Sequence, residues 1–257
     1  MKKNETALFP ESEIRTYALI ARNDGLKARQ ISQILGISKT EISRQMVSSA
    51  LMRELCYQDK EYRWHALVRQ QPPYEGLYEF SGWYGTVGEF MREDEETWLK
   101  ELADGCTRIG RNLNDQRGLI HSFRDCRETM RRLLSDLTDM MNVPISNWEI
   151  CFELRFNLRR FIRIYADVLV IAGKRVFSLE FKMKDRVDPG EVLQAAKYVP
   201  FLEVLFGPEM EVFPALVLTG AREVFEWEKI GDTDFVLPVC SGDMLFNVFD
   251  EYMGFLD

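Results

Sequence analysis

Asp167, Glu180 and Lys182 lie within YADVLVIAGKRVFSLEFKMK, residues 165–184. Ile162 to Ile171 and Arg175 to Met183 are rich in β-branched and aromatic residues, and Ala172-Gly173-Lys174 between them is a turn signal. The two runs read as a hairpin. With Gly173 and Lys174 as the central residues, glycine first as a type II′ turn prefers, Ala172 faces Arg175, and counting outward sets Asp167 opposite Glu180. Directly opposed residues hold their Cβ atoms roughly 4.5–5.5 Å apart, close enough for two carboxylates to share one divalent cation. Such a pair repels itself unless a cation intervenes. Lys182, two residues beyond Glu180, projects from the same face, whereas Leu179 and Phe181 face the core.

The elements around the hairpin must hold it. A helix is predicted around Phe123 to Met141, ended by Val143-Pro144, and a strand around Trp148 to Phe156. Asp188-Pro189-Gly190 breaks the chain after the hairpin. Glu191 to Leu205 then has helical spacing, weakened in its middle by Pro200 or ended there in its first part, and Gln194 and Tyr198 are neighbours on one helical face. Val212 to Leu218 reads as a buried strand. The order is helix, three strands, helix, strand.

With these residues the chain resembles the PD-(D/E)XK nuclease superfamily over about residues 119 to 220, and Gln194 and Tyr198 match the QxxxY helix motif of its RecB-like branch. SFRDCRETM, WEICFELRF and RRFIRIYADVLV are similar to nuclease domains found beside Schlafen-like helicases in prokaryotes. Ala166 stands where the motif's proline would be. The resemblance implies an α/β (α+β) fold with a restriction-endonuclease-like αβββαβ core on a mixed sheet. It implies Asp167 and Glu180 as metal-binding acids and Lys182 as the catalytic lysine. A further acid is drawn from Glu128 on the first helix or Glu153 on the preceding strand. The implied chemistry is phosphodiester hydrolysis with Mg²⁺, or Mn²⁺ in its place, acidifying a bound water and neutralising the scissile phosphate. Lys182 would orient the water and stabilise developing charge. Gln194 and Tyr198 would position the substrate strand or the lysine, or satisfy each other at a helix–sheet seam.

Composition bounds the setting. The chain has 257 residues, 46% hydrophobic and 29% charged, enough for one large or two modest domains. No apolar run reaches membrane-span length and MKKNETALF lacks a signal-peptide core, so no membrane partner and a cytoplasmic location are expected. Five scattered cysteines without a CxxC pair argue against a disulfide frame or zinc site, and two histidines give little support to Ser-His-Asp chemistry. The net charge of −8 is uneven. Arg155, Arg159, Arg160, Arg163, Lys174, Arg175, Lys182, Lys184 and Arg186 crowd the predicted catalytic sheet, while acids dominate after Asp188. Arg160 and Arg163 are therefore candidate nucleic-acid contacts on a basic face; the competing reading is an arginine-decorated edge strand.

The N-terminal part carries a second pattern. Helical spacing over Ser12 to Asn23 stops at Gly25, Ala28 to Leu35 forms a second helix stopped by Gly36, and Ser38 with Glu41 reads as the capping box of a third. Cys56 to Trp64 reads as a two-stranded wing. Residues 11 to 66 thus resemble a winged helix-turn-helix domain. The resemblance implies DNA contact by Ser38, Lys39, Thr40, Ser43 and Arg44 in the major groove, or a module for dimerisation or partner contact. Gln70-Gln71-Pro72-Pro73 reads as a linker. The expected organisation is residues 1–70 winged helix, 71–118 linker and helical connection, and 119–257 nuclease domain. A metal-dependent DNA nuclease, double-stranded DNA favoured, is the leading expectation. The alternative is a DNA-binding regulator whose nuclease-like domain is catalytically silent. The resemblance implies a genome-defence setting with a partner protein, and double-strand cleavage from one site per chain implies a homodimer.

Overall fold

The computed structural model describes residues 9–23, 25–70, 74, 76–111, 116–140, 145–156 and 165–254. It is an α/β protein with a seven-stranded mixed sheet and a separate two-stranded antiparallel ribbon. The chain divides into two compact units, Met1–Phe80 with Arg155–Tyr165 and Pro200–Met210, and Ser81–Leu154 with Ala166–Val199 and Glu211–Asp257. Among the described residues no helix is long and apolar enough to cross a membrane.

The first unit opens with α1 (Glu11–Arg22), α2 (Ala28–Leu35), α3 (Lys39–Ser48) and α4 (Ala50–Leu55), then the ribbon β1 (Cys56–Gln58) and β2 (Trp64–Ala66), then the short α5 (Leu77–Phe80). Tyr17, Ile20, Ile31, Ile42, Met46, Leu51 and Leu55 are fully or nearly fully buried. Between helices the buried Thr16 hydroxyl donates to Gln45 Oε1 at 2.8 Å, and the Ser49 hydroxyl donates to Glu13, so these polar groups do not go unsatisfied in the core. Leu26 bridges to Trp64 and extends the ribbon. The sequence reads one helix where α3 and α4 stand; Ser49, extended at φ −68° and ψ 130°, breaks it and caps α4.

The second unit holds β3 (Trp83–Thr86), α6 (Val87–Arg92), α7 (Glu95–Arg108), α8 (Gln116–Met140), β4 (Glu149–Arg155), β5 (Tyr165–Ala172), β6 (Arg175–Lys182) and α9 (Pro189–Lys197). After α10 (Val199–Phe206), which from Pro200 on belongs to the first unit, the second unit continues with β7 (Glu211–Leu218), β8 (Phe225–Lys229), β9 (Val236–Ser241) and α11 (Leu245–Met253). The strand order is β3-β4-β5-β6-β7-β9-β8, with β5/β6 antiparallel and β6/β7 and β7/β9 parallel. One face packs Val168, Val170, Phe177, Leu179 and Phe181 against Phe123, Met130 and Leu134 of α8 and Val248 and Phe249 of α11. The other packs Leu216, Leu218 and Val239 against Val192 and Ala195 of α9.

Two features differ from the sequence reading. Residues 81–111, expected as a connection, supply β3, which extends the sheet by pairing with β4. Beyond Leu218 the sheet continues through β8 and β9. Of the two readings at Pro200, the structure has the break: Glu191 to Leu205 forms two helices parted at Tyr198, because Pro200 cannot donate within a continuous helix but fits the first turn of a new one.

Gly105 of α7 lies against the backbone of Gly82: a Cβ at Gly105 would come within 1.8 Å of the Gly82 carbonyl oxygen. The Gly82 amide in turn donates to the carbonyls of Phe152 at 2.9 Å and Glu153 at 3.3 Å. Two glycines thus let a helix backbone reach the end of β4. Gly105→Ala is expected to cost about 1–3 kcal/mol of stability by overpacking. Thermal unfolding measures this, and wild-type stability of the variant would contradict the close approach.

Candidate functional site

The β5/β6 ladder runs from Ala172↔Arg175 to Val168↔Leu179, the register that sets Asp167 against Glu180. Gly173 has φ 62° and Lys174 is not left-handed, as a II′ turn requires. Asp167 Oδ2 accepts the Phe181 amide at 2.9 Å, so its carboxylate leans across the strand pair. Glu180, 2% exposed, accepts at Oε1 from Lys182 Nζ at 2.7 Å and from Gln194 Nε2 at 2.6 Å. Gln194 Nε2 also donates to the Tyr198 hydroxyl at 3.1 Å. Asp167, Glu180, Lys182, Gln194 and Tyr198, from two strands and a helix, therefore form one cluster. Glu180 Oε2 is buried with no hydrogen-bond partner.

A pocket of about 170 Å³ opens beside this cluster, lined by Arg111, Ser122, Phe123, Cys126, Phe152, Glu153, Asp167, Phe181 and Lys182. Regular strand alternation would place Glu153 on the face opposite Phe152. Both line the pocket, because Glu153 has φ 58° and the left-handed residue interrupts the alternation of β4. Such backbone strain costs on the order of 1–3 kcal/mol and persists only where the surroundings impose it. Here the Gly82 amide, donating to both residue carbonyls, holds the distortion. Arg111 Nη1 lies 2.8 Å from Glu153 Oε2, an ion pair not aligned as a hydrogen bond. Arg111, just past α7, was not singled out in the sequence; its distance from the motif hides it.

Glu128 is not brought to the pocket. Its side chain is 76% exposed and pairs with Arg132 at 3.5 Å. The pocket face of α8 carries Ser122, Phe123 and Cys126, and Glu128, two residues beyond Cys126, points some 200° around the helix. Arg160 and Arg163 lie outside the described residues. Among the described residues no three of His, Cys, Asp and Glu stand together as a metal-holding group.

The electrostatics follow from burial. Among the described residues three acids, Asp167, Glu180 and Glu153, gather here with two cations, Lys182 and Arg111. Burial, and then the charge of Asp167, push Glu180 up to about 8. Burial raises Asp167, and burial with Asp167 and Glu180 nearby raises Glu153 well above the usual carboxylate range despite Arg111. Burial alone would discharge Lys182, but Glu180 beside it wins and holds the ammonium charged. The lysine thus stays charged.

In the first unit, Ser38, Lys39, Thr40, Ser43 and Arg44 are all exposed at the start of α3. The Ser38 hydroxyl caps the helix by accepting the Glu41 amide at 3.1 Å. The Glu41 carboxylate turns to Arg44 instead, accepting from Nη2 at 2.6 Å and Nε at 2.8 Å, so the predicted capping box is one-sided. The β1–β2 turn carries exposed Lys60, Tyr62 and Arg63, with Tyr62 at φ 62°.

No protein-family model and no curated protein matches the sequence. Among solved structures, the chain is similar to the crystal structure of protein VC1899 from Vibrio cholerae, at 11% identity and a TM-score of 0.28, over 94% of this chain and 50% of that one. The chain spans about half the length of that protein.

The raised Glu180 carboxyl makes stability pH-dependent. Folded Glu180 keeps a proton that the unfolded chain loses above about 4.5, so folding takes up a proton between pH 4.5 and about 8. Stability is therefore full below that window and falls as pH rises through it, by up to about 1.4 kcal/mol per pH unit. Thermal melts across the window should show this slope in wild type and a flatter one in Glu180→Gln. An undiminished slope in the variant would place the titrating proton elsewhere.

Proposed function

We propose that the chain is a Mg²⁺-dependent deoxyribonuclease, with a restriction-endonuclease-like core in the second unit and a DNA-binding winged helix-turn-helix in the first. The observation that carries this reading is the acid cluster: among the described residues three buried carboxyls gather with two cations, and one Glu180 oxygen has no hydrogen-bond donor. Carboxylates held this close favour a cation or a proton between them. Mg²⁺ is commonly held by one or two carboxylates plus substrate phosphates and keeps several waters, so the Asp167–Glu180 pair fits it without a third ligand at hand. Asp167 and Glu180 would hold the ion. When bound, Mg²⁺, or Mn²⁺ in its place, would lower the pKa of a water and polarise the scissile phosphate.

The chain's own groups do the rest. Lys182, kept cationic by Glu180, faces the pocket and would stabilise charge on the phosphate oxygens. Gln194 fixes the Glu180 carboxylate through Oε1 and is steadied by Tyr198, so the orphaned Oε2 stays available. Phe123, Phe152 and Phe181 wall the pocket and lower its dielectric, which strengthens each of these interactions. The helical unit would hold duplex DNA through the exposed start of α3, as the helix–turn–helix order with its ribbon supports.

A second reading, a DNA-binding regulator with a catalytically silent nuclease-like domain, is favoured by one observation: no three metal-ligating side chains stand together among the described residues. The two readings part in one assay. Purified chain is incubated with circular double-stranded, circular single-stranded and linear DNA and with RNA, in Mg²⁺, Mn²⁺ or chelator. The nuclease reading expects metal-dependent cutting of DNA that falls at least about 10²–10³-fold in Glu180→Ala and Lys182→Ala. DNA binding without cutting by wild type, or equal cutting by all three proteins, would overturn it. For the first unit, Lys39→Ala combined with Arg44→Ala is expected to weaken duplex binding and lower the slope of log affinity against log salt by about 2, one for each phosphate contact. Unchanged binding would assign that unit to protein contact.

A further inference from the structure

The placement of Glu153 calls for more than a bystander acid. A 4%-exposed carboxyl sits on a residue with φ 58° in a strand, beneath the Gly82–Gly105 contact. Its charge is matched by Arg111 at 2.8 Å, in a pair that is not a hydrogen bond. The Arg111 side chain keeps 23% of its surface exposed and lines the same pocket as Asp167 and Lys182. A guanidinium matches phosphate oxygens with two parallel donors, a better fit than its skewed contact with Glu153.

We infer that Arg111 is the receptor for a substrate phosphate, and that its transfer from Glu153 to that phosphate releases Glu153 to the divalent cation held by Asp167 and Glu180. Phosphate and cation therefore bind cooperatively. This rests on the reading of the acid cluster as a cation site acting on DNA. Geometry explains the coupling: a guanidinium drawn to a phosphate no longer holds Glu153 Oε2, and the freed carboxylate lies in the same pocket as Asp167.

The test is Mn²⁺ binding, followed by the EPR signal of free Mn²⁺, with the full chain alone and with a short phosphorothioate DNA duplex that resists cutting. Wild type should bind Mn²⁺ about tenfold more tightly in the presence of the duplex, within the usual range of coupling between sites. Glu153→Gln should bind Mn²⁺ as wild type does without DNA and gain no increment from it. Arg111→Gln should bind Mn²⁺ more tightly than wild type without DNA and show little further gain, whereas Arg111→Lys, which keeps the charge but loses the paired donors, should gain only part of the wild-type increment. A full increment in Glu153→Gln would overturn the inference, and that variant decides the matter if Arg111→Gln fails to fold. Binding that depends on Glu180 but shows no coupling would sink this inference and leave the cation site standing. Binding that is indifferent to Glu180→Ala would sink the cation site itself.

Discussion

Burying carboxylates near one another is the constraint on which the second unit turns. Three acids at one end of a sheet cannot all stay charged without cations, and among the described residues two stand beside them, Lys182 from the same strand as Glu180 and Arg111 from beyond α7. The type II′ turn at Gly173 fixes the register that sets Asp167 against Glu180. Alternation then sends Leu179 and Phe181 into the core opposite, so that the acids are held by a strand that cannot slip without exposing its apolar face. Helix α9 brings Gln194 to Glu180, and the glycine contact between α7 and β3 brings Glu153 to the same pocket.

On the proposed reading the acid cluster has a chemical use: a divalent cation bound there would displace the proton that Glu180 retains, so that metal occupancy and ionisation of the acids would be one event. The apolar walls of Phe123, Phe152 and Phe181 make the site costly to leave unbalanced and correspondingly responsive to the ligands that balance it. Lys182 gains from the same arrangement, since the acid that needs it keeps it charged.

Much of the site was legible because it is local. The hairpin, the face shared by Glu180 and Lys182, and the spacing of Gln194 and Tyr198 follow from periods of two and near four read along continuous stretches. What escaped depends on contacts between distant segments. Glu153 shares the pocket with Phe152 only because a left-handed φ, imposed by the Gly82 amide, breaks the strand's alternation. Arg111 is some forty residues from the acid it pairs with. Glu128 misled because helix phase, not proximity in sequence, decides which acid of α8 faces inward. In the first unit the three helices and ribbon were readable from caps and glycines, whereas the split between α3 and α4 turned on the extended backbone at Ser49.

The most direct measurement of the central claim is the anomalous-difference map of a crystal of the protein soaked in Mn²⁺. The account places one peak between the carboxylates of Asp167 and Glu180. No peak there, or a peak only at surface acids, would contradict it.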